Sequence, residues 1–222
     1  MAATTSIRGP ADVTPRPFEP GQTPPRWVPG DVILTHSPRG IFGRLIRFGQ
    51  RLRYRSEYER PFAWFNHVAV VVTPFEDGRP RLVEALSEGV IETEAERYGE
   101  QWFAYIDTNI SDEDRGQVVA YAERVAAIQP SYGIVQIVSI AWALLTGGRF
   151  SVGINGTEIC SSFAAKALRP GGYWWERPPR GRRSRPRMLD ESYLTPADLA
   201  VSFHTERIRR DAEPAEQATD PA

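Results

Sequence analysis

The chain has 222 residues, which is long enough for one domain with a substantial hydrophobic core. Its formal net charge is −1 at pH 7, so no overall charge draws it to nucleic acid or to an anionic surface. A single cysteine excludes an intramolecular disulfide framework and a cysteine-rich zinc site. With only three histidines in the chain, a metal site built from histidines is not expected. We therefore expect no cofactor, no metal and no nucleic-acid partner.

Residues 1–27 are rich in proline and contain no apolar core segment. This composition is typical of a disordered arm and not of a secretory signal. The longest apolar run, Ile134 to Leu145, is interrupted by Gln136 and Ser139 and is too short to span a bilayer. We therefore expect a soluble, cytoplasmic protein without a transmembrane segment. The alternative is export by a route without a recognisable signal.

One folded domain is predicted over residues 28–204, and its first elements are a strand and a basic helix. Val28 to Thr35 indicates a turn that leads into a short strand. Gly40 to Arg53 has apolar residues at helical spacing with arginines between them. Such a helix is typical either of contact with a membrane surface or of packing on a core with the arginines in solvent. The second case is the commoner one.

Three runs rich in β-forming residues follow and predict an antiparallel meander. They are Phe65 to Val72, Arg81 to Leu86 and Gly89 to Thr93, with a turn over residues 74–78. Trp102 to Asp107 is a further candidate strand. Ser111 then caps a helix whose first turn is acidic, as the helix dipole favours.

The last third of the chain contains further helical patterns and a basic loop. An apolar helix is expected from Ile134 to Leu145, and a short terminal element begins at the cap Thr195. Residues 205–222 are polar and are predicted to be a disordered tail. The Arg177–Arg187 loop is rich in proline and arginine, and a solvated loop is its simplest interpretation. We expect from it at most weak contact with an anionic surface.

Cys160 is the residue with the clearest chemical potential. Asn155-Gly156 is a turn signal, Thr157 is a candidate cap, and the residues up to Leu168 have helical spacing. The thiol is therefore predicted in the first turn of a helix, where unpaired backbone N–H groups and the helix dipole favour an anion. A lone cysteine is more often a small buried hydrophobe, so a nucleophile here needs a base and an orienting group.

His67 and Glu84 are the candidates for that base and that orienting group. His67 begins an apolar strand, and Glu84 lies inside the next one, where a carboxylate needs a partner. One hairpin register places His67 directly opposite Glu84. A second pairs Ala69 with Glu84 and makes His67 its diagonal neighbour on the same face. A register slipped by one residue would put them on opposite faces.

The other two histidines are weaker candidates. His36 follows the first strand and could approach the site, although an exposed loop histidine is the simpler interpretation. His204, in the terminal segment, is predicted to be a surface residue.

Five short motifs follow one another in a distinctive order. They are Gly30–Ile33 (GDVI), Asn66–Val71 (NHVAVV), Val83–Ala85 (VEA), Cys160–Ser162 (CSS) and Leu194–Leu199 (LTPADL). This order resembles the permuted NlpC-type, papain-like amidases of the YaeF/YiiX group, in which the histidine strand precedes the cysteine helix. The match runs from about Pro29 to Val201.

The resemblance implies an α+β domain with a circularly permuted papain-like (NlpC-like) fold, an antiparallel β-meander or barrel packed against helices. It implies a thiol hydrolase, a cysteine amidase or peptidase, that cleaves a peptide or peptidoglycan-type amide through a thioester. Cys160 would be the nucleophile, His67 the base and Glu84 the orienting residue. Tyr132 resembles a tyrosine near the site of this group, although a glycine replaces the acidic residue that usually follows it. Ser161 is a further candidate for the substrate or oxyanion site.

Two alternatives accompany this hypothesis. The first is an acyltransferase or thioesterase acting on an ester-containing lipid or acyl substrate, as in the related lecithin:retinol acyltransferase group. The apolar helix from Ile134 and the basic helix from Gly40 favour it. The second is a non-catalytic binding module that retains the fold, and the presence of all three triad residue types argues against it.

Overall fold

A computed structural model of the protein describes residues 18–24, 26–36, 41–54, 56–57, 59–72, 79–86, 89–128, 160–173, 175–177, 187–189, 191 and 194–212. Within these ranges a five-stranded antiparallel sheet is combined with four α-helices. The α+β class is therefore confirmed. The predictions for the apolar helix over 134–145, for Tyr132, for the cap Thr157 and for most of the arginine-rich loop lie outside the described residues.

The strands of the sheet lie in the order β4-β3-β2-β1-β5. They are β1 (Val32–His36), β2 (His67–Val72), β3 (Arg81–Leu86), β4 (Gly89–Glu94) and β5 (Trp102–Ile106). The meander predicted from the sequence is β2-β3-β4, and β1 joins it to β5 by pairing with both β2 and β5. A separate two-stranded ribbon pairs β6 (Glu176–Arg177) with β7 (Arg187–Met188).

The described α-helices are α1 (Ile41–Arg53), α2 (Asp112–Ile128), α3 (Cys160–Ala167) and α4 (Pro196–Ala212). No helix in the described part of the chain is both long and apolar enough to cross a membrane. Helix α4 runs past residue 205, so the predicted disordered tail is wrong over residues 205–212. A docked, capped first turn explains this extension, because adding residues to a formed helix is far easier than starting one.

Of the three predicted helix caps, the two that lie among the described residues, Ser111 and Thr195, are present. The Ser111 hydroxyl accepts a hydrogen bond from the backbone N–H of Asp114 at 3.1 Å. In the same way, Thr195 Oγ1 accepts from the backbone N–H of Asp198 at 3.2 Å, and the Asp198 carboxylate accepts from the N–H of Thr195 at 3.0 Å. These bonds satisfy N–H groups that a helix start leaves without partners, and they fix where α2 and α4 begin.

Helices cover one face of the sheet. Val68 and Val70 of β2 lie in the large core that includes buried residues of α2, α3 and α4. Because side chains alternate along a strand, the intervening residues of β2 face the opposite side. That second face carries a smaller apolar cluster: Ile33, Ala69, Val71, Leu82, Ala95, Tyr98 and Phe103.

Part of the predicted N-terminal arm packs on this second face. Phe18 forms a β-bridge with Phe103, and their rings stack with centroids 5.3 Å apart. Trp27 also stacks on Phe103, at 5.9 Å. The prediction of disorder over residues 1–27 is therefore wrong for the described residues from Phe18 onward, because their aromatic side chains bury apolar surface against the sheet.

The Gly30-Asp31 motif has a structural role at the start of β1. The buried Asp31 carboxylate accepts hydrogen bonds from the Tyr105 hydroxyl, from the backbone N–H of Thr108 at 3.1 Å and from Arg115 at 2.7 Å. Gly30 has φ +86°, and a Cβ there would lie 3.1 Å from the Arg115 side chain. A left-handed glycine is thus required where α2 approaches the start of β1.

Candidate active site

The register of the β2–β3 hairpin places His67 and Glu84 on the same face of the sheet. Ala69 lies opposite Glu84, so the second of the two registers considered above is the observed one, and His67 is the diagonal neighbour of Glu84. Pro80 lies just before β3, and its carbonyl accepts a hydrogen bond from the N–H of Ala95 at 3.0 Å. The missing N–H of the proline therefore interrupts no bond within β3.

His67 and Glu84 are directly hydrogen bonded. His67 Nε2 donates to Glu84 Oε2 at 2.5 Å. The Glu84 side chain is fully buried, whereas 14% of the His67 side chain is exposed. Because Nε2 is used by the carboxylate, Nδ1 is the ring atom left for a second partner. The carboxylate thus fixes the orientation of the imidazole, as an orienting residue must.

Cys160 provides the second partner of the His67 ring. Its side chain lies close enough to His67 for charge interaction and hydrogen bonding with it to raise the pKa of the ring. Cys160 is the first residue of α3 and His67 the first residue of β2, so the contact forms where the ends of the two elements meet. The rest of α3 is buried in the core on the helical face. Cys160 is itself a buried core residue, with 9% of its surface exposed.

The charge on His67 follows from its two neighbours. Burial by itself lowers the pKa of His67. The charge interaction with Cys160, then the hydrogen bonds to Cys160 and Glu84, outweigh burial and raise the pKa of His67 to about 10. His67 is therefore protonated at neutral pH, next to Cys160 and the Glu84 carboxylate. A histidine so placed stabilises a thiolate, which is the reactive form of cysteine.

Glu84 has two further hydrogen-bond donors, which the sequence reasoning missed. The Thr93 hydroxyl donates to Glu84 Oε1 at 2.6 Å, and the Tyr98 hydroxyl donates to Oε2. Burial raises the pKa of Glu84, but the hydrogen bond and charge of His67, with the bonds from Thr93 and Tyr98, lower it to about 2. The carboxylate therefore stays ionised although it is buried.

Thr93 and Tyr98 reach Glu84 through the next hairpin and the turn that follows it. Thr93 lies opposite Leu82 in the β3–β4 pairing, so it is a diagonal neighbour of Glu84. Pairing the two predicted strands would have revealed this. Tyr98 ends a 3-10 helix, Ala95–Tyr98, and its ring stacks on that of His67 with centroids 6.4 Å apart. Burial, then the charge and hydrogen bonding of Glu84, raise the pKa of Tyr98, which keeps its hydroxyl protonated as a donor.

Other predicted residues do not join this cluster. The buried Ser161 hydroxyl donates to the backbone carbonyl of Leu194 at 2.6 Å, so it ties α3 to the segment before α4 and is not available to an oxyanion. Tyr132 lies outside the described residues. His204 is partly buried on α4, with its ring 5.1 Å from that of Phe62. It is therefore a packing residue more than a surface one.

His36 is not an exposed loop residue, which corrects the sequence-based interpretation. It ends β1 and is only 4% exposed. Its Nδ1 donates to the carbonyl of Trp64 at 2.7 Å, and its Nε2 accepts from Arg47 at 2.8 Å. Both ring nitrogens are therefore occupied by structural bonds, and burial lowers the pKa of His36. The residue links β1 to α1 and does not contact the triad.

The chain matches no protein-family model, and no curated protein sequence matches it. The roles of its residues are therefore inferred from the geometry of the site. In the ranges that the structure describes, no group of three or more His, Cys, Asp or Glu side chains is arranged to hold a metal ion. Cys160, His67 and Glu84 lie next to one another in the order that a nucleophile, its base and an orienting carboxylate would require.

Replacing Glu84 by glutamine should remove the part of the free energy of unfolding that depends on the ionised Glu84 carboxylate. The pKa of Glu84 falls from 4.5 to about 2 on folding, so its contribution is complete above pH 4.5 and disappears as the pH falls toward 2. Denaturant unfolding should show that wild type loses about 3 kcal/mol over this interval and that Glu84→Gln does not. Glu92→Gln, on the neighbouring strand where Glu92 pairs with Arg81, should keep the wild-type acid dependence. Parallel curves for wild type and Glu84→Gln would contradict this assignment.

Replacing Tyr98 by phenylalanine should loosen the carboxylate that orients His67. We expect the free energy of unfolding to fall by about 2 kcal/mol, as for a buried hydrogen bond to a charged group. Alkylation of Cys160 by iodoacetamide at neutral pH should also become slower. Tyr105→Phe is the matched control, because Tyr105 donates to the carboxylate of Asp31, away from the triad. It should lower stability and leave the alkylation rate unchanged, and equal rates in all three proteins would exclude a positioning role for Tyr98.

Proposed function

We propose that the protein is a cysteine hydrolase of the permuted papain-like type, which cleaves amide bonds with Cys160, His67 and Glu84. The observation that supports this best is the position of His67, which is hydrogen bonded to the buried Glu84 carboxylate and lies close enough to Cys160 for that residue to raise its pKa. A protonated histidine held beside a buried carboxylate and a cysteine is costly to build and adds little to packing. Strongly shifted titratable groups of this kind cluster at functional sites.

The first half of the reaction forms a thioester. The Cys160 thiolate attacks the carbonyl carbon of the amide, and the carbonyl oxygen becomes an oxyanion. The backbone N–H of Cys160, at the first position of α3, is a group that a helix start leaves without a partner inside the helix, and we assign it as the donor to that oxygen. His67 then gives its Nδ1 proton to the leaving nitrogen, the C–N bond breaks and the amine departs.

The second half regenerates the enzyme. His67, now neutral, takes a proton from water at Nδ1, and the resulting hydroxide attacks the thioester carbonyl. The C–S bond breaks, which releases a carboxylic acid and restores the thiolate beside a protonated His67. Because the pKa of Glu84 is low, its carboxylate stays ionised throughout the reaction. It accepts the hydrogen bond from Nε2–H of His67, which leaves Nδ1 to act on the sulfur side of the ring. One water is consumed for each amide cleaved.

We infer that the substrate is a peptide or a peptidoglycan-type amide, since the expected family chemistry is amide cleavage. Wild type and Cys160→Ala should be incubated separately with peptidoglycan fragments and with a lipid extract, and the products identified by mass spectrometry. Wild type should convert the amide-containing fragments into amine and acid products, and Cys160→Ala should not. His67→Gln should be inactive, whereas His204→Gln should remain active.

Three results would contradict the proposal in different ways. Products that persist in Cys160→Ala would exclude Cys160 as the nucleophile. Products formed only in the lipid extract would contradict amide hydrolysis and would indicate an acyltransferase or a thioesterase. No products in either pool, together with a Cys160 that is alkylated no faster than a free model thiol, would favour a non-catalytic module.

A further inference from the structure

The outward side of α1 combines basic and apolar side chains. Arg44, Phe48, Arg51 and Leu52 are all exposed, Phe48 by 54% and Leu52 by 40%. Their spacing along the helix places them on one face. We call these four residues the α1 outer face. Large apolar side chains that are exposed on a firmly held helix indicate a binding surface.

The opposite side of α1 is fixed to the domain. The fully buried Gln50 side chain donates to the carbonyl of Phe65 at 2.7 Å and accepts from the backbone N–H of Ala197 at 3.0 Å. Arg47 donates to His36, and Arg53 lies 3.7 Å from the Asp198 carboxylate. The helix is therefore held in one rotational setting, and the outer face is presented to solvent as a fixed surface.

The charge of α1 is entirely positive. Its sequence, IFGRLIRFGQRLR, contains four arginines and no acidic residue, although the whole chain carries a net charge of only −1. Arg47 and Arg53 use their charges inside the domain. Within the described ranges, Arg44 and Arg51 have no hydrogen bond or ion pair, and both lie close enough to Arg47 to lower its pKa after burial has done so. Their charges are thus available to an external anion.

We propose that the α1 outer face docks on an anionic lipid bilayer. A helix that lies in a membrane interface inserts a few apolar side chains into the headgroup region while its arginines contact lipid phosphates, and the α1 outer face offers both. Two apolar and two basic side chains form too small a surface for a specific protein partner, which buries about 800 Å² on each side. A bilayer imposes no such minimum, because shallow insertion and phosphate contacts act independently.

The inner side of α1 is bonded to residues that are neighbours of His67 in the chain and in the sheet. The Gln50 side chain is bonded to the carbonyl of Phe65, and Phe65 precedes His67 by two residues in the chain. Arg47 is bonded to His36, next to Thr35, which pairs with His67. The inference does not depend on the proposed chemistry, and Cys160→Ala should bind vesicles as wild type does.

Vesicle co-sedimentation of the full chain tests this surface. Wild type should sediment with vesicles of phosphatidylcholine and phosphatidylserine, and should remain in solution with phosphatidylcholine alone. The double variants Arg44→Glu/Arg51→Glu and Phe48→Ser/Leu52→Ser should each bind the anionic vesicles at least about tenfold more weakly. Added salt should weaken wild-type binding. Circular dichroism should show all variants folded, since the four side chains are exposed.

A matched control lies on α2, where Arg124 and Ile128 are also exposed, Ile128 by 71%. The double variant Arg124→Glu/Ile128→Ser should bind as wild type does. Absence of wild-type binding to anionic vesicles, or equal binding by the α1 and α2 variants, would overturn the proposal. It would also be overturned if wild type formed a dimer in solution that Phe48→Ser/Leu52→Ser abolished, because the face would then be an interface between two copies.

Discussion

A buried carboxylate in the middle of the sheet is the constraint around which the site is built. Glu84 has no exposed side-chain surface, and an isolated charge there would be unfavourable by several kcal/mol. Hydrogen bonds from His67, Thr93 and Tyr98 make the charge tolerable, and each donor comes from a different element. The register of β2 on β3, the pairing of β3 with β4 and the turn after β4 are thus all needed to keep Glu84 ionised. The orientation of His67 toward Cys160 depends on this ionised carboxylate.

Much of this arrangement could be predicted from the sequence. Periodicity and turn signals gave the strands of the meander, and the caps Ser111 and Thr195 gave the starts of two helices. A glutamate inside an apolar strand, one hairpin away from a strand-start histidine, identified the pair His67 and Glu84. The sequence left two same-face registers open, and local signals do not specify which of them forms; in the structure Ala69 pairs with Glu84.

The remaining features depend on contacts between parts of the chain that are distant in sequence. Tyr98 follows β4 in a short 3-10 helix, and no local pattern indicates that its hydroxyl meets Glu84. Phe18 lies in a proline-rich segment of disordered composition, yet its ring packs on β5 because the second face of the sheet is apolar. In the sequence, His36 resembles a loop residue. In the fold, its ring is hydrogen bonded to the carbonyl of Trp64 and to Arg47 of α1. In each of these cases, contacts between distant parts of the chain determine where the residue lies, and the local sequence pattern does not.

The protonation state of His67 is the most direct test of the triad. Titration of the His67 ring by NMR in the folded wild-type protein should show an imidazolium that persists through neutral pH and loses its proton near pH 10. In Cys160→Ala the pKa of His67 should fall, because the charge of Cys160 is the largest influence that raises it. A ring that titrates near its ordinary value of 6.5 in wild type, and is unaffected by Cys160→Ala, would contradict a coupled Cys160–His67–Glu84 site.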